Sequence, residues 1–291
     1  MRPGTRWISI LTRQLAVVIA AGSMLVASAK ADDPNTGKLS FSIGSDITTA
    51  YYFRGIVQEK DGFIMQPHAE VAVSLFEARG AITEVTATGG IWNSVHSEQT
   101  GASGDGSDNW YEADLYGGVS VGVLEALEAG VTYIAYTSPS NAFATVQEVD
   151  FSFGFDDGNF LGPLALSPSV TLAVETENAA FGENEGIYLE LGVQPGLTLR
   201  EDGRYPLSLS LPLTLGLGPR DYYETDNDDD TFGYFDGSIV AAVPLALIPE
   251  KYGAWEASAG VHFLTLGNNL QSANGGDSFE VIGIWGLALS Y

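Results

Sequence analysis

Leu207-Ser208-Leu209-Ser210-Leu211-Pro212-Leu213-Thr214-Leu215-Gly216-Leu217 sets leucine at every odd position and a small or polar residue at every even one. Successive side chains of a β-strand point to opposite faces, so this segment shows hydrocarbon on one side and small polar groups on the other. Its leucine face needs an apolar medium. In a soluble sandwich that medium is a second sheet; in a transmembrane barrel it is lipid, with an expected span of about 9–11 residues. The rest of the chain decides between them.

Residues 1–31 carry Arg2, Arg6 and Arg13, an apolar run from Leu15 to Val26, and Ala29-Lys30-Ala31. A basic start, a short apolar stretch and an A-x-A site together read as a secretory signal peptide, leaving 32–291 as one domain. The 291-residue chain has net charge −25, and this leader holds four of its twelve basic residues and none of its 37 acidic ones. An acidic balance of that size repels nucleic-acid phosphate and favours cations as partners. There is no cysteine; in an exported protein, stability then rests on sheet hydrogen bonding and burial, not on disulfides.

Strand-like alternation recurs over 39–54, 63–76, 82–93, 110–122, 127–137, 146–156, 166–176, 187–199, 205–217, 232–246, 254–267 and 279–291. Longer polar connections (55–62, 94–109, 138–145, 177–186, 218–231, 268–278) alternate with mostly shorter ones (77–81, 123–126, 157–165, 200–204, 247–253). An even strand count with long loops on one rim predicts an all-β fold: a closed antiparallel transmembrane β-barrel of about 12 strands in an up-and-down meander, both termini on the periplasmic side. Carboxylates fall on the parity opposite the apolar residues. This makes Asp46, Arg54, Glu70, Glu84, Glu112, Asp114, Glu148, Asp150, Glu175 and Glu190 the candidates for a lumen and its charge selectivity, with His68, Glu256 and Glu280 on the same parity. The competing picture is an acidic soluble sandwich with those charges in solvent. Pro67, Pro168, Pro195, Pro212 and Pro244 cannot donate ladder hydrogen bonds and are expected at bulges or strand ends. Tyr51, Tyr111, Tyr133, Trp255, Trp285 and Tyr291 are expected in aromatic girdles at the two membrane interfaces.

Ser45-Asp46, Tyr51, Phe53-Arg54-Gly55 and Gln58 resemble the SD-x4-Y-x-F/W-R-G-x-x-Q opening of the TorF-type porin family of bacterial outer-membrane barrels. Gly90-Ile91-Trp92-Asn93-Ser94, Glu112-Ala113-Asp114-Leu115-Tyr116-Gly117-Gly118, and Gly130-Val131-Thr132-Tyr133-Ile134-Ala135-Tyr136 with Glu148 are similar to further family motifs in the same order. The resemblance covers residues 40–156. It implies an outer-membrane location, a barrel and a porin role, and no reaction. The terminal alternation Val281, Gly283, Trp285, Leu287, Leu289, Tyr291 resembles the C-terminal insertion signal of such barrels.

Arg54 stands among carboxylates and needs one on a neighbouring strand, such as Glu70 or Glu112, as partner. The run Asp226-Asn227-Asp228-Asp229-Asp230 has the spacing of the first three ligands of a calcium loop. Thr231 and Gly237, however, occupy the positions of the turn glycine and the bidentate glutamate, so a solvated external loop fits better. Only His68, His96 and His262 are available for catalysis, and the chain has no GxSxG elbow, phosphate loop or zinc spacing. The expectation is therefore a porin-like channel for small hydrophilic solutes with cation preference, and no enzyme, cofactor or metal site. Its expected partners are outer-membrane lipid, lipopolysaccharide and the barrel assembly machinery. A non-conducting structural or surface-binding barrel is the alternative, since inward Trp92, Tyr116 or Tyr188 would occlude a bore this narrow.

Overall fold

The computed structural model describes residues 37–98, 109–200, 206–225 and 228–291. They form a closed antiparallel barrel of twelve strands: β1 Leu39–Thr48, β2 Ile64–Glu77, β3 Ile82–His96, β4 Trp110–Val123, β5 Leu127–Thr137, β6 Val146–Phe155, β7 Ser169–Glu177, β8 Ile187–Val193 continued by Gly196–Arg200, β9 Leu207–Ser210 continued by Leu213–Arg220, β10 Phe232–Pro244, β11 Ala254–Leu266 and β12 Phe279–Ser290. Each pairs with its neighbours in sequence, and β12 pairs with β1 from Thr48↔Ile284 to Ser42↔Ser290, closing the ring. Closure removes the edges that would otherwise leave backbone groups unpaired. The proposed signal segment lies outside the described residues.

The two-residue period decides what faces out. Along β9, Leu211 and Leu213 are exposed on the outer wall while Ser208, Ser210, Gly216 and Gly218 are buried on the inner one. Ile43, Leu75, Leu115, Val119, Phe153, Val281 and Trp285 continue the exposed apolar belt around the barrel. A continuous hydrocarbon belt of this kind suits lipid and not water. Among the described residues no helix is long and apolar enough to cross a membrane.

Four of the five prolines sit where the ladder ends or breaks. Pro168 precedes β7, Pro195 and Pro212 fall in the interruptions of β8 and β9, and Pro244 ends β10. There the chain bridges with single bonds, Leu211 N to Pro195 O at 2.8 Å and Ser238 N to Pro212 O at 2.8 Å. Pro67 lies inside β2 and not at a bulge or strand end: it pairs with Ser45 on β1, and the register with β3 is the same at Met65↔Val95 and His68↔Trp92 on either side of it.

The long connections do gather on one rim. The exception to the expected order is 156–168, a long turn on the opposite rim that folds on itself through a short helix, Gly158–Leu161, and a 3-10 turn, Gly162–Leu164. Asp157 organises it. Its carboxylate accepts from Leu166 N (2.9 and 3.1 Å) and Ser167 N (2.9 Å), and these backbone donors hold its carboxyl below the usual carboxylate range.

The largest departure from expectation is in the first strand. It ends at Thr48 and not at 54, because the Thr48 hydroxyl donates to Ala50 O (2.7 Å) and the chain turns off the wall. Tyr51–Phe53 and Ile56–Glu59 then pair with each other as a separate hairpin. The turn is Arg54-Gly55, with φ of +47° and +83°. Positive φ at both central residues is the type I′ geometry that matches strand twist, and glycine supplies it without strain at the second position. Two aromatics expected in the interfacial girdles go with this change: Tyr51 and Tyr111 are buried inside the barrel, whereas Tyr133, Trp285 and Tyr291 are exposed on its outside.

Candidate functional site

The hairpin between β1 and β2 folds into the lumen at the long-loop end. Alternation again determines its contacts, now with both faces buried. Tyr51 and Phe53 pack against Trp92, Tyr111, Ile134, Tyr136 and Val146 from β3 to β6. Ala50 and Tyr52 belong to the opposite cluster, with Ala173, Tyr188, Tyr222, Tyr223, Tyr234, Leu264 and Leu270. One short hairpin therefore spans the bore and is packed on two sides.

Its tip is fixed by Arg54, which is only 2% exposed. Nη1 and Nη2 donate to Glu148 Oε2 and Oε1 at 2.6 and 2.7 Å, a parallel bidentate pair. Nη1 also donates to the Tyr222 hydroxyl at 2.9 Å, and the Tyr136 hydroxyl donates to Glu148 Oε1 at 3.0 Å. The guanidinium carbon stands 4.0 Å from the centre of the Tyr188 ring, close enough for a strong cation–π contact. The Tyr223 hydroxyl donates to the carbonyl of Arg54 at 3.0 Å.

The rest of the hairpin is tied to the loop 267–278. Asn274 donates to Gly55 O (2.7 Å) and accepts from Val57 N (3.0 Å), a two-way clamp on the turn. A Cβ on Gly55 would lie 2.6 Å from Leu270 Cδ1, so the turn is closely covered. The Tyr51 hydroxyl donates to Glu112 at 2.7 Å, the Tyr111 hydroxyl to Gln58, and Lys60 to Asp277. That last bond raises the half-exposed Lys60 amine above its ordinary range, against a smaller opposing effect of desolvation.

The residues assigned to the lumen from the sequence lie as follows. Asp46, Glu112, Asp114, Glu148, Asp150, Glu175 and Glu190 are buried, and Glu70 and Glu84 are half-buried on the inner wall. They do not form one cluster. Glu148 and Asp150 share a face of β6, and Glu112 and Asp114 share a face of β4. Glu190 accepts from Tyr188 (2.7 Å) and Tyr234 (3.1 Å), Glu175 from Ala180 N and Gly186 N (both 2.7 Å), and Glu70 from Tyr116 (3.0 Å). Glu84 lies toward the opposite rim, bonded to Thr86 at 2.9 Å. Arg54 takes Glu148, two strands beyond Glu112, and neither expected partner. The reason is its position at the tip of a hairpin that crosses the bore, not on the wall at β1. Asp114 Oδ1 and Oδ2 and Asp150 Oδ1 have no hydrogen-bond partner among the described residues.

Five residues that complete the site, Tyr136, Tyr222, Tyr223, Leu270 and Asn274, escape sequence reading, four of them because they belong to loops. The available signal is Tyr222-Tyr223, two large aromatics in an otherwise acidic connection, which fold inward to complete burial. Of the acidic run, Asp226 and Asn227 lie outside the described residues, and Asp230 accepts from Phe232 N and Asn268 N at 3.2 and 3.1 Å. No group of three metal-ligating side chains occurs among the described residues. Asp236 and Ser238 both meet His262 at Nδ1 (2.7 and 2.8 Å), so the three do not form a relay across the ring. Toward the opposite rim lies a cavity of about 230 Å³ lined by Ser167, Gln194, Thr198, Ser208, Ser210 and Val240.

No family model and no curated protein matches the sequence. Solved structures of similar fold are outer-membrane barrels. An outer-membrane channel from Pseudomonas putida F1 aligns at TM-score 0.49 with 12% identity, covering 91% of this chain and 99% of that one. The NanC porin aligns at 0.42 with 8% identity over 86% and 98%, and the β-domain of a Bordetella autotransporter at 0.41 with 12% identity over 88% and 99%.

Proposed function

We propose that this chain is a porin-like channel of the bacterial outer membrane for small hydrophilic solutes, preferring cations, and that the Arg54 hairpin is its closing element. The observation that carries this reading is a hairpin seated across a bore where, among the described residues, buried inward carboxylates outnumber the buried guanidinium of Arg54. Inward negative charge with low-dielectric walls focuses a field that draws cations and repels anions. In this reading residues 1–31 direct export, the assembly machinery inserts the barrel, lipid and lipopolysaccharide surround the outer belt, and the long loops face outward. The TorF-type resemblance supports it from a second side, since Tyr51, Phe53, Arg54, Gly55 and Gln58 of that motif are residues of the hairpin.

Planar-bilayer recording in a salt gradient tests the proposal. The intact chain is expected to open rarely and with a cation-selective reversal potential. A variant with 50–58 replaced by a short Gly/Ser linker is expected to conduct continuously with the same selectivity. Anion selectivity, or no conductance from a hairpin-less variant that still shows heat-modifiable migration, overturns it. The complete burial of Tyr222 and Tyr223 favours the second reading, a non-conducting structural barrel, and that last result would establish it.

A further inference from the structure

The seat of Arg54 has the make-up of a receptor. A guanidinium is planar and presents donors in a fork that matches both oxygens of one carboxylate, while an ammonium is a point charge that cannot. Glu148 supplies that carboxylate, its orientation fixed by the Tyr136 hydroxyl; Tyr188 supplies the ring face and Tyr222 the acceptor on the flank. Asp150, two residues along the same inner face and 4% exposed, keeps one carboxylate oxygen without a partner among the described residues. Arg54 reaches this box from a tether, through a hairpin joined to the barrel wall at both ends. We infer that the box of Tyr136, Glu148, Asp150, Tyr188 and Tyr222 is a binding site for small guanidinium-bearing solutes, and that Arg54 is its built-in competitor in the closed barrel. The inference names a solute class for the channel reading and rests on that reading only for passage, not for binding.

A tethered occupant acts at a high effective concentration, commonly in the millimolar range. Free solute therefore binds weakly to the intact chain and far more readily once the side chain is removed. The test is calorimetric titration of refolded Arg54→Ala with methylguanidinium chloride, with methylammonium chloride at equal ionic strength as the control. Saturable methylguanidinium binding is expected in Arg54→Ala, about tenfold or more weaker for methylammonium, and lost in Arg54→Ala/Glu148→Gln. Arg54→Met, which keeps an unbranched stem against Tyr188, replaces the alanine variant if that one fails to give a heat-modifiable barrel. If neither folds, amide exchange of residues 50–59 in the intact chain decides, and millimolar methylguanidinium should accelerate it where methylammonium does not. Absence of binding, equal binding of the two cations, binding that survives Glu148→Gln, or unchanged exchange overturns the inference. Binding without conductance overturns the channel reading alone.

Discussion

Glu148→Gln separates the ionic part of the hairpin's anchorage from its shape. In the closed barrel both Glu148 oxygens accept from Arg54, at 2.6 and 2.7 Å, and both side chains are 1% exposed. The amide keeps one acceptor and turns an N–H toward a guanidinium that is itself all donors. Removing one partner of a buried ion pair costs about 3–5 kcal/mol, because the remaining charge stays buried and uncompensated. The Tyr188 ring still faces the guanidinium and the Asn274 clamp on the turn is untouched, so the lower end, about 3 kcal/mol, applies. At about 1.4 kcal/mol per decade this is roughly a hundredfold rise in the released hairpin. The barrel wall should not respond, since the Glu148 backbone keeps its ladder pairing with Ile134 and Glu175. Hydrogen exchange read by mass spectrometry resolves the two: amides of 50–59 exchange about a hundredfold faster in the variant while those of β4 to β6 do not change. Glu175→Gln is the control, since its carboxylate serves Ala180 N and Gly186 N and should loosen only the 178–186 loop. Unaltered protection of 50–59 in a folded Glu148→Gln barrel would refute the claim that this ion pair holds the hairpin.

Gly55→Ala adds a methyl 2.6 Å from Leu270 Cδ1 at φ +83°, a strain of about 1–3 kcal/mol that should raise protease sensitivity in 50–59; Gly80→Ala, with nothing within 4 Å, should leave it unchanged. Leu213→Arg places a cation on the outer face near the middle of β9 and should cost about 2–4 kcal/mol in denaturant titration of the barrel refolded into lipid vesicles, whereas Thr214→Arg on the inner face should cost less. The Asp157 carboxyl titrates below its ordinary 3.8 in the folded chain, so the stability it contributes is complete above that value and is lost as pH falls through the folded pKa. The melting difference between the natural chain and Asp157→Asn should thus be present at neutral pH and shrink in acid; a constant difference would show that Asp157 does not act through its charge.

The barrel is legible in the sequence because its physics is periodic. The leucine alternation of 207–217, the inward parity of Glu112, Asp114, Glu148 and Asp150, and the terminal run to Tyr291 each follow from which side of a strand meets hydrocarbon. The hairpin is less legible for the same reason. Tyr51-Tyr52-Phe53 continues the β-character of the first strand, and strand propensity does not reveal that the chain leaves the wall after Thr48. The local signal is Arg54-Gly55, a pair suited to positive φ between two short extended runs. Arg54's partner is unreadable in principle from local sequence, since Glu148 is 94 residues away and meets it only because the barrel has closed. The inward fold of Tyr222-Tyr223 and the Asn274 clamp are likewise decided by the space left over once the wall is built.

Glycine explains how so many aromatic rings fit inside a twelve-stranded bore. A Cβ on Gly216 would fall 2.2 Å from Tyr234 Cε1, and one on Gly90 would fall 2.3 Å from the Tyr116 hydroxyl. These rings lie against bare backbone on the neighbouring strand, which keeps them close to the wall and carries each hydroxyl to a carboxylate, Tyr234 to Glu190 and Tyr116 to Glu70. The inner surface the hairpin covers carries six tyrosines, Tyr111, Tyr136, Tyr188, Tyr222, Tyr223 and Tyr234, beside the aliphatic Ile64, Ile134, Val146, Leu264, Leu266 and Leu270. That choice has an energetic consequence. Exposing a tyrosine whose polar end is already bonded costs less than exposing a leucine of similar area, because only part of the ring is newly hydrated. A permanent plug gains most from an aliphatic seat. The hydroxyl-bearing rings in this seat, latched by one ion pair, lower the cost of wetting the bore when the hairpin leaves, which supports the gate proposed above.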